Sequence, residues 1–446
     1  MASLCACVGY APEPLEPHEA LRLLAARAHD DVRFDRPGPW STDWFPLQAE
    51  VRIADGLTLG EANALALFSS PAVRAARAEA RVAGAQVLQA GLLANPELFL
   101  GPRISTQDSE LIFPASLSWE LPLWGKRAAE SDGAAARSTE SQMRVIEVEL
   151  ETLLQVRTAF LRLDRLLREE AVLAAVSASG TQIVEWVEGL ARSGEVDAVS
   201  AYLARTERDE ASAALEGVRA EAARSRRALL ALLGLLPDAP VTFTVDTTSY
   251  LPELPDPDRD ALLSLPSLRA AEAAYAAAEA ALRLEIGKQY PGIRFGPEFE
   301  NDRGDASIGL GLGITLPVFD RNRGAIAAAQ ESRVRAREGY VARLLEASHA
   351  EATARADLAT AERLLRIHTG GALRNAEEAT RALDIRLRTG RADVVEILAA
   401  QRAIARARTR MLELEEQAAA ARLRAAVTGG LTLRRPETSD NIEEKR

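Results

Sequence analysis

Apolar residues along this chain recur with two periods, and each period holds over long stretches. From Lys126 to Ser193 and from Arg323 to about Arg388 they fall three and four apart, with no proline in either run. In the first run Ile146, Leu150, Leu153, Phe160, Leu163 and Leu167 carry the pattern. That spacing draws a narrow apolar seam along a helix, as in a coiled coil. Elsewhere the alternation is strict. Leu98, Leu100, Pro102 and Ile104 form one apolar side, and Leu117, Trp119, Leu121 and Leu123 another, opposite Ser116, Ser118 and Glu120. Ile293, Phe295, Pro297 and Phe299 alternate with Arg294, Gly296, Glu298 and Glu300. Ile308, Leu310, Leu312, Ile314 and Leu316 alternate with Gly309, Gly311, Gly313 and Thr315. Period two predicts strands, here four in two hairpins, with polar turns at Gln107-Asp108-Ser109 and Asp302-Arg303-Gly304-Asp305.

The pattern occurs twice. Pro71 and Pro266, Pro96 and Pro291, Leu121-Pro122 and Leu316-Pro317, and Gly234 and Gly429 lie 195 residues apart. Ser193-Gly194 and Thr389-Gly390, and Asp197 and Asp393, lie 196 apart. One offset shared by so many landmarks means two copies of one unit, 57–237 and 261–430, joined by a Pro-rich stretch, 238–260. Residues 1–56 precede the copies, and a charged tail, 431–446, predicted to be disordered, follows them. Each copy reads as a short helix (71–94; 266–289), two strands, a long helix (126–193; 323–388) and a shorter returning helix (196–234; 392–429). The two short helices of a copy laid end to end match its long one, about 100 Å at 1.5 Å per residue. The expected shape is a rod with the sheet at one end and the glycine turns at the other.

Composition sharpens this. The chain has 446 residues, a formal charge of −11, 47% hydrophobic and only 5% aromatic residues. Few rings and many helix formers suit long thin helices rather than a thick core. The acidic balance speaks against a nucleic-acid partner, and no apolar run is long enough for a membrane helix. Strands remain compatible with a membrane: runs of 9–13 alternating residues have the length of tilted barrel strands. The same alternation also fits a soluble sheet packed on helices. Four strands cannot close a barrel, and open edges are not tolerated in lipid, so a membrane sheet would require several chains around one barrel. A barrel continued by a helical tube is a conduit. Cys5 and Cys7 are the only cysteines. Leu4-Cys5-Ala6-Cys7 reads either as the end of a lipoprotein signal, with Cys7 lipidated, or as an ordinary N-terminus.

Three phrases at the repeat spacing carry a family resemblance: Leu117-Ser-Trp-Glu-Leu-Pro-Leu-Trp-Gly-Lys-Arg127, Gly311-Leu-Gly-Ile-Thr-Leu-Pro-Val-Phe-Asp-Arg-Asn-Arg-Gly324 and Thr389-Gly-Arg-Ala-Asp-Val-Val-Glu-Ile-Leu-Ala-Ala-Gln-Arg402. With the duplicated order, they resemble the TolC-type outer-membrane efflux proteins over about 57–430, and most nearly the heavy-metal, CzcC-like branch. The resemblance implies a mainly α fold with a transmembrane β part, closed as a homotrimer around a 12-stranded barrel above a periplasmic helical tunnel. It implies docking to a periplasmic adaptor and an inner-membrane pump, and a passive conduit for metal cations or small toxic compounds. It also favours lipidation of Cys7.

A conduit needs no cofactor and no catalytic group, so the candidate residues are constrictions and contacts. By resemblance, Glu396 takes the first acidic position of the periplasmic gate, with Asp393 beside it; Ala399 stands at the second, so a double acidic ring is not expected. Asp197 and Asp393 also read as first-turn carboxylates favoured by the helix dipole. The turns Ser193-Gly194 and Thr389-Gly390-Arg391 are the implied adaptor contacts. Gly309, Gly311, Gly313 and Thr315 form the small face expected to line the lumen; strict alternation with no helix after it excludes a phosphate-binding loop. His18, His29, His349 and His368 share no metal-ligand spacing. Trp40, Trp44, Trp119 and Trp124 are candidates for a membrane-interface belt; Trp40 and Trp44 read equally well as packing anchors. The competing reading is a soluble periplasmic coiled-coil scaffold capped by a small sheet.

Overall fold

The computed structural model describes residues 9–27, 32–33, 50–51, 56–101, 103–104, 111–112, 114–244, 254, 259–302, 305–388 and 393–430. Cys7, Trp40, Trp44, the turn Thr389-Gly390-Arg391 and the tail 431–446 lie outside these residues. In chain order come α1 (Pro17–Ala26), the two-residue strands β1 (Val32–Arg33) and β2 (Glu50–Val51), α2 (Leu59–Ser69) and α3 (Pro71–Ala90). Strands β3 (Glu97–Leu100), β4 (Arg103–Ile104), β5 (Leu111–Ile112) and β6 (Ala115–Leu121) follow, then α4 (Lys126–Ser193) and α5 (Ala198–Leu232). The second half holds α6 (Arg259–Leu263), α7 (Pro266–Lys288), β7 (Gly292–Asp302), β8 (Asp305–Thr315), α8 (Arg323–His368), a π-helical turn (Thr369–Leu373), α9 (Arg374–Arg388) and α10 (Val394–Thr428).

The helix α4 has the 68 residues its sequence predicts, so it spans about 100 Å. It is the spine: α3, α5, α7 and α10 all pack on it, while α8 packs on α7 and α10. The short helices stack end to end as their lengths require. Gly234, just past α5, has φ +68°, and a β-carbon there would meet the Ser69 carbonyl oxygen at 2.7 Å. Gly430, just past α10, has φ +75°, and a β-carbon there would meet the Ala261 carbonyl oxygen at 2.7 Å. Only glycine both takes that left-handed conformation and leaves room for the next helix. The structural counterpart of Gly234 is therefore Gly430, one residue beyond the position that the 195 offset marks.

The thickest core lies at the middle of the rod. Phe160, at the centre of α4, is fully buried with Leu57, Leu65, Leu229, Leu230 and Leu233, and its ring meets Phe243 edge-on at 5.5 Å. Thr58 caps α2 through a reciprocal bond with Glu61, and Leu57 forms an isolated parallel bridge with Phe243 through two backbone bonds of 2.9 Å, to Thr242 and from Thr244. The predicted seam holds from Ile146 to Leu163, but Leu167 is exposed and Leu166 is buried instead. A 3.6-residue turn drifts off a fixed three/four register, so the buried position slips by one.

Three predictions of continuity fail. The helix expected over 323–388 is broken by the π-helical turn Thr369–Leu373, which contains the pair Gly370-Gly371. Glycine weakens the regular ladder, and π-bulges form where one residue too many is accommodated. The first copy's leading strand covers only Glu97–Leu100 in the main sheet, with β4 and β5 pairing separately beyond it. The short helix predicted over 71–94 ends at Ala90, because Gly91 and the turn after it finish the helix before Pro96.

Candidate functional site

The sheet at one end of the rod is fully antiparallel, in the order β3-β6-β7-β8. Leu98 faces Leu117, Trp119 faces Phe295, Leu121 faces Ile293, and Ile293, Phe295, Pro297 and Phe299 face Ile314, Leu312, Leu310 and Ile308. With period two along each strand, these residues share one face. That face is uncovered: Ile308 is 83% exposed, Leu310 75% and Leu312 66%. The other face carries Ser116, Ser118, Glu120, Arg294, Glu298 and Glu300 with Gly309, Gly311, Gly313 and Thr315, which are thus brought together as the alternation predicts. Crowding is confined to one of those glycines. A β-carbon on Gly311 would lie 2.2 Å from Glu298 Oε1, whereas one on Gly309 would meet nothing within 4 Å.

Among the described residues β3 and β8 each pair on one side only, so both edges of the sheet are open. An uncovered apolar face with open edges is unstable in water and prone to pairing with another chain. Inside the sheet, Gly296 does what the sequence alone did not show. A β-carbon there would fall 1.6 Å from the Leu117 carbonyl oxygen. The β6–β7 ladder is interrupted at this point, where Pro297 offers no N–H, and the two backbones close in.

Aromatic side chains mark the junction of sheet and rod. Trp124 (φ +62°) donates its indole N–H to the Pro291 carbonyl oxygen at 2.9 Å and stacks on Tyr290, centroids 5.0 Å apart. Trp119 donates to the Ala94 carbonyl oxygen at 2.9 Å and lies 5.8 Å from Phe295. Asn322 (φ +58°) starts α8 and donates its amide to the carbonyl oxygen of Glu285 at 2.9 Å and to its Oε2 at 2.7 Å. Hydrogen bonds from Lys288 first, and from Asn322 second, hold the Glu285 carboxyl below its ordinary range.

At the opposite end, Ser193 ends α4 and Gly194 (φ +78°) reverses the chain. Asp197 caps α5, accepting from the Ser200 N–H and hydroxyl, each at 2.9 Å, and these bonds lower its pKa. Asp393 caps α10 in the same way, accepting from the Val395 N–H at 3.3 Å. Glu396 does not stand alone: its Oε2 lies 2.8 Å from Arg386 Nη1 on α9. Val184, Val187, Ala201, Ala204, Val394 and Leu398 form the apolar core of this end. Two polar links tie α10 to the first half. Gln401 donates to Ser179 on α4, and Arg402 pairs with Glu207 on α5 at 2.9 Å. Neither link was legible in the sequence, since nothing local pairs residues two hundred positions apart. Among the described residues no helix is long and apolar enough to cross a membrane.

A duplicated strand–strand–long-helix rod with an apolar-faced open sheet is a specific architecture, and the family profile of the outer membrane efflux proteins matches residues 64–235 and 259–429. The chain belongs to that family. Its fold is similar to solved structures of the outer-membrane channel OprN (19% identity, TM-score 0.74, 90% of this chain and 99% of that one) and of CusC (16%, 0.74, 90% and 100%). The outer membrane protein VceC from Vibrio cholerae is also similar (19%, 0.71, 84% and 97%). No curated protein matches by sequence. Family channels are conduits of tripartite efflux systems and form trimers. Accordingly this outer membrane efflux protein is an outer-membrane channel whose helices stand in the periplasm.

Proposed function

We propose that three copies of this chain close one barrel from their sheets and one tunnel from their rods, forming a passive export conduit for metal cations or small toxic compounds. The observation that carries this reading is the sheet: its uncovered apolar face suits lipid, its polar, glycine-rich face suits a water-filled lumen, and its two open edges suit pairing with copies on either side. The soluble-scaffold reading would leave that face in water. The two units, 57–237 and 261–430, each supply half of every wall. An adaptor would meet the turns at Ser193-Gly194 and Thr389-Gly390-Arg391, and an inner-membrane pump would supply the energy. Lipidation of Cys7 would add anchoring of about 0.8 kcal/mol per buried CH₂.

The gate follows from the far end. Three copies would bring three Asp393 and three Glu396 carboxylates to the mouth and favour cations there. The Arg386 partner of Glu396 and the capping role of Asp393 both limit the free charge, so the ring should be a weak filter. Planar-bilayer recordings test both levels. Conductance by detergent-extracted oligomers is expected, with cation preference reduced in Asp393→Ala/Glu396→Ala. No conductance and no heat-sensitive oligomer would sink the conduit; unaltered selectivity would remove the gate alone. A knockout strain's sensitivity to a metal panel against an organic panel would assign the cargo.

A further inference from the structure

A second site lies away from both ends of the channel. Between α1, α2 and α3 the surface opens into a cavity of about 720 Å³, with Arg27, Arg74, Arg77 and Arg81 in its lining and, among the described residues, no Asp or Glu. The three arginines of α3 are three and four residues apart, so the helix sets them on one face. Arg77 is neutralised by Glu149 at 2.6 Å. Among the described residues no carboxylate partners Arg27, Arg74 or Arg81. Arg27, half-buried, has its pKa pushed below the ordinary value by burial first and by the charge of Arg74 second. Like charges gathered at a partly dry cavity repel one another, and a bound anion removes that cost. Leu65 and Phe68 form an apolar side of the same cavity.

We propose that this pocket binds a small polyanion: two or more carboxylate or phosphate groups on a body with one apolar side. Guanidinium forks fit both oxyanions in bidentate pairs, and the cavity is in the size range of small-molecule sites. Lipid headgroups are out of reach. Arg77 stands opposite Glu149, the twenty-fourth residue of α4, about 35 Å along the rod from the sheet. The ligand is therefore a periplasmic solute rather than a membrane lipid.

The test uses the full chain as detergent-extracted oligomers, titrated by calorimetry with pyrophosphate, citrate and benzene-1,3,5-tricarboxylate against chloride. At least one polyanion is expected to bind in a salt-dependent way, with the tricarboxylate favoured over citrate by the apolar side. Arg74→Gln/Arg81→Gln should weaken that binding at least tenfold, and Arg27→Gln should weaken it independently. Arg74 and Arg81 are both exposed and their removal relieves repulsion at the cavity, so the double variant should melt no lower than the wild type in the absence of ligand. Two results would overturn the site: binding unchanged in the double variant, or no heat from any probe at millimolar concentration, the latter either with double-variant oligomers intact on native electrophoresis or with those oligomers falling apart. The last would assign the arginines to carboxylates of a neighbouring copy.

Discussion

Arg77 on α3 donates both Nε and Nη2 to a single carboxylate oxygen of Glu149 on α4, at 2.9 and 2.6 Å. The Glu149 side chain is fully buried, and among the described residues its other oxygen accepts no bond. Removing one partner strands a charge in the interior. Arg77→Ala is expected to destabilise by about 3–5 kcal/mol, while Arg77→Met/Glu149→Leu, which removes both charges, should be close to neutral. Denaturant melts of the two variants check this.

The same carboxylate sets a pH dependence. Burial pushes its pKa above the ordinary 4.5, outweighing the pull of the Arg77 charge and hydrogen bond. The folded state then holds the proton more tightly than the unfolded one. This contribution to stability is fully present below 4.5 and is lost as pH rises through the folded value. Asp197 has the opposite sign: its lowered pKa contributes above 3.8, and that contribution is lost as pH falls. Glu149→Gln should flatten the fall between pH 4.5 and neutrality; a slope identical to wild type would contradict the assignment.

Two left-handed glycines should respond differently to alanine. Gly194 has φ +78° with nothing within 4 Å of a β-carbon, so Gly194→Ala meets the backbone penalty alone, about 1–2 kcal/mol. Gly234 has a similar φ but faces the Ser69 carbonyl at 2.7 Å, so Gly234→Ala must also shift α2 against α5. Its melting temperature should fall further than that of Gly194→Ala.

Gly296→Val tests the sheet. The side chain would be driven into the Leu117 carbonyl, so β6 and β7 must part. The rod, with its core centred on Phe160, should keep its helical circular dichroism while heat-sensitive oligomers disappear from gels.

Gly370 and Gly371 meet nothing that a β-carbon would touch, and neither has a positive φ. Replacing both with alanine should therefore raise helix stability, by up to about 1 kcal/mol each. A higher melting point with slower amide exchange around 369–373 is the expected outcome.

Much of the fold is legible in the sequence because it is periodic. The limits of α4 and the face assignments of β6, β7 and β8 follow from local patterns; Asp197 and Asp393 read as first-turn carboxylates, and the structure moves each one place back, to the cap. What is missed depends on distant partners. The closeness of Gly296 to Leu117, the pairs Gln401–Ser179 and Arg402–Glu207, and the neutralising of Glu396 by Arg386 arise only when separate elements meet. The π-helical turn is intermediate: Gly370-Gly371 signals weakness, but not which irregular form results.

The two open edges come from opposite halves of the chain, β3 from the first and β8 from the second. Any ring of identical chains must join β3 of one to β8 of the next, a head-to-tail seam rather than a self-complementary one. Every subunit then takes part in two different seams, and one faulty β8 breaks a ring built otherwise from sound chains. Such an allele should be genetically dominant. In a cell making both forms, if three chains close the ring as proposed, the yield of working rings would fall as the cube of the sound fraction rather than in proportion to it.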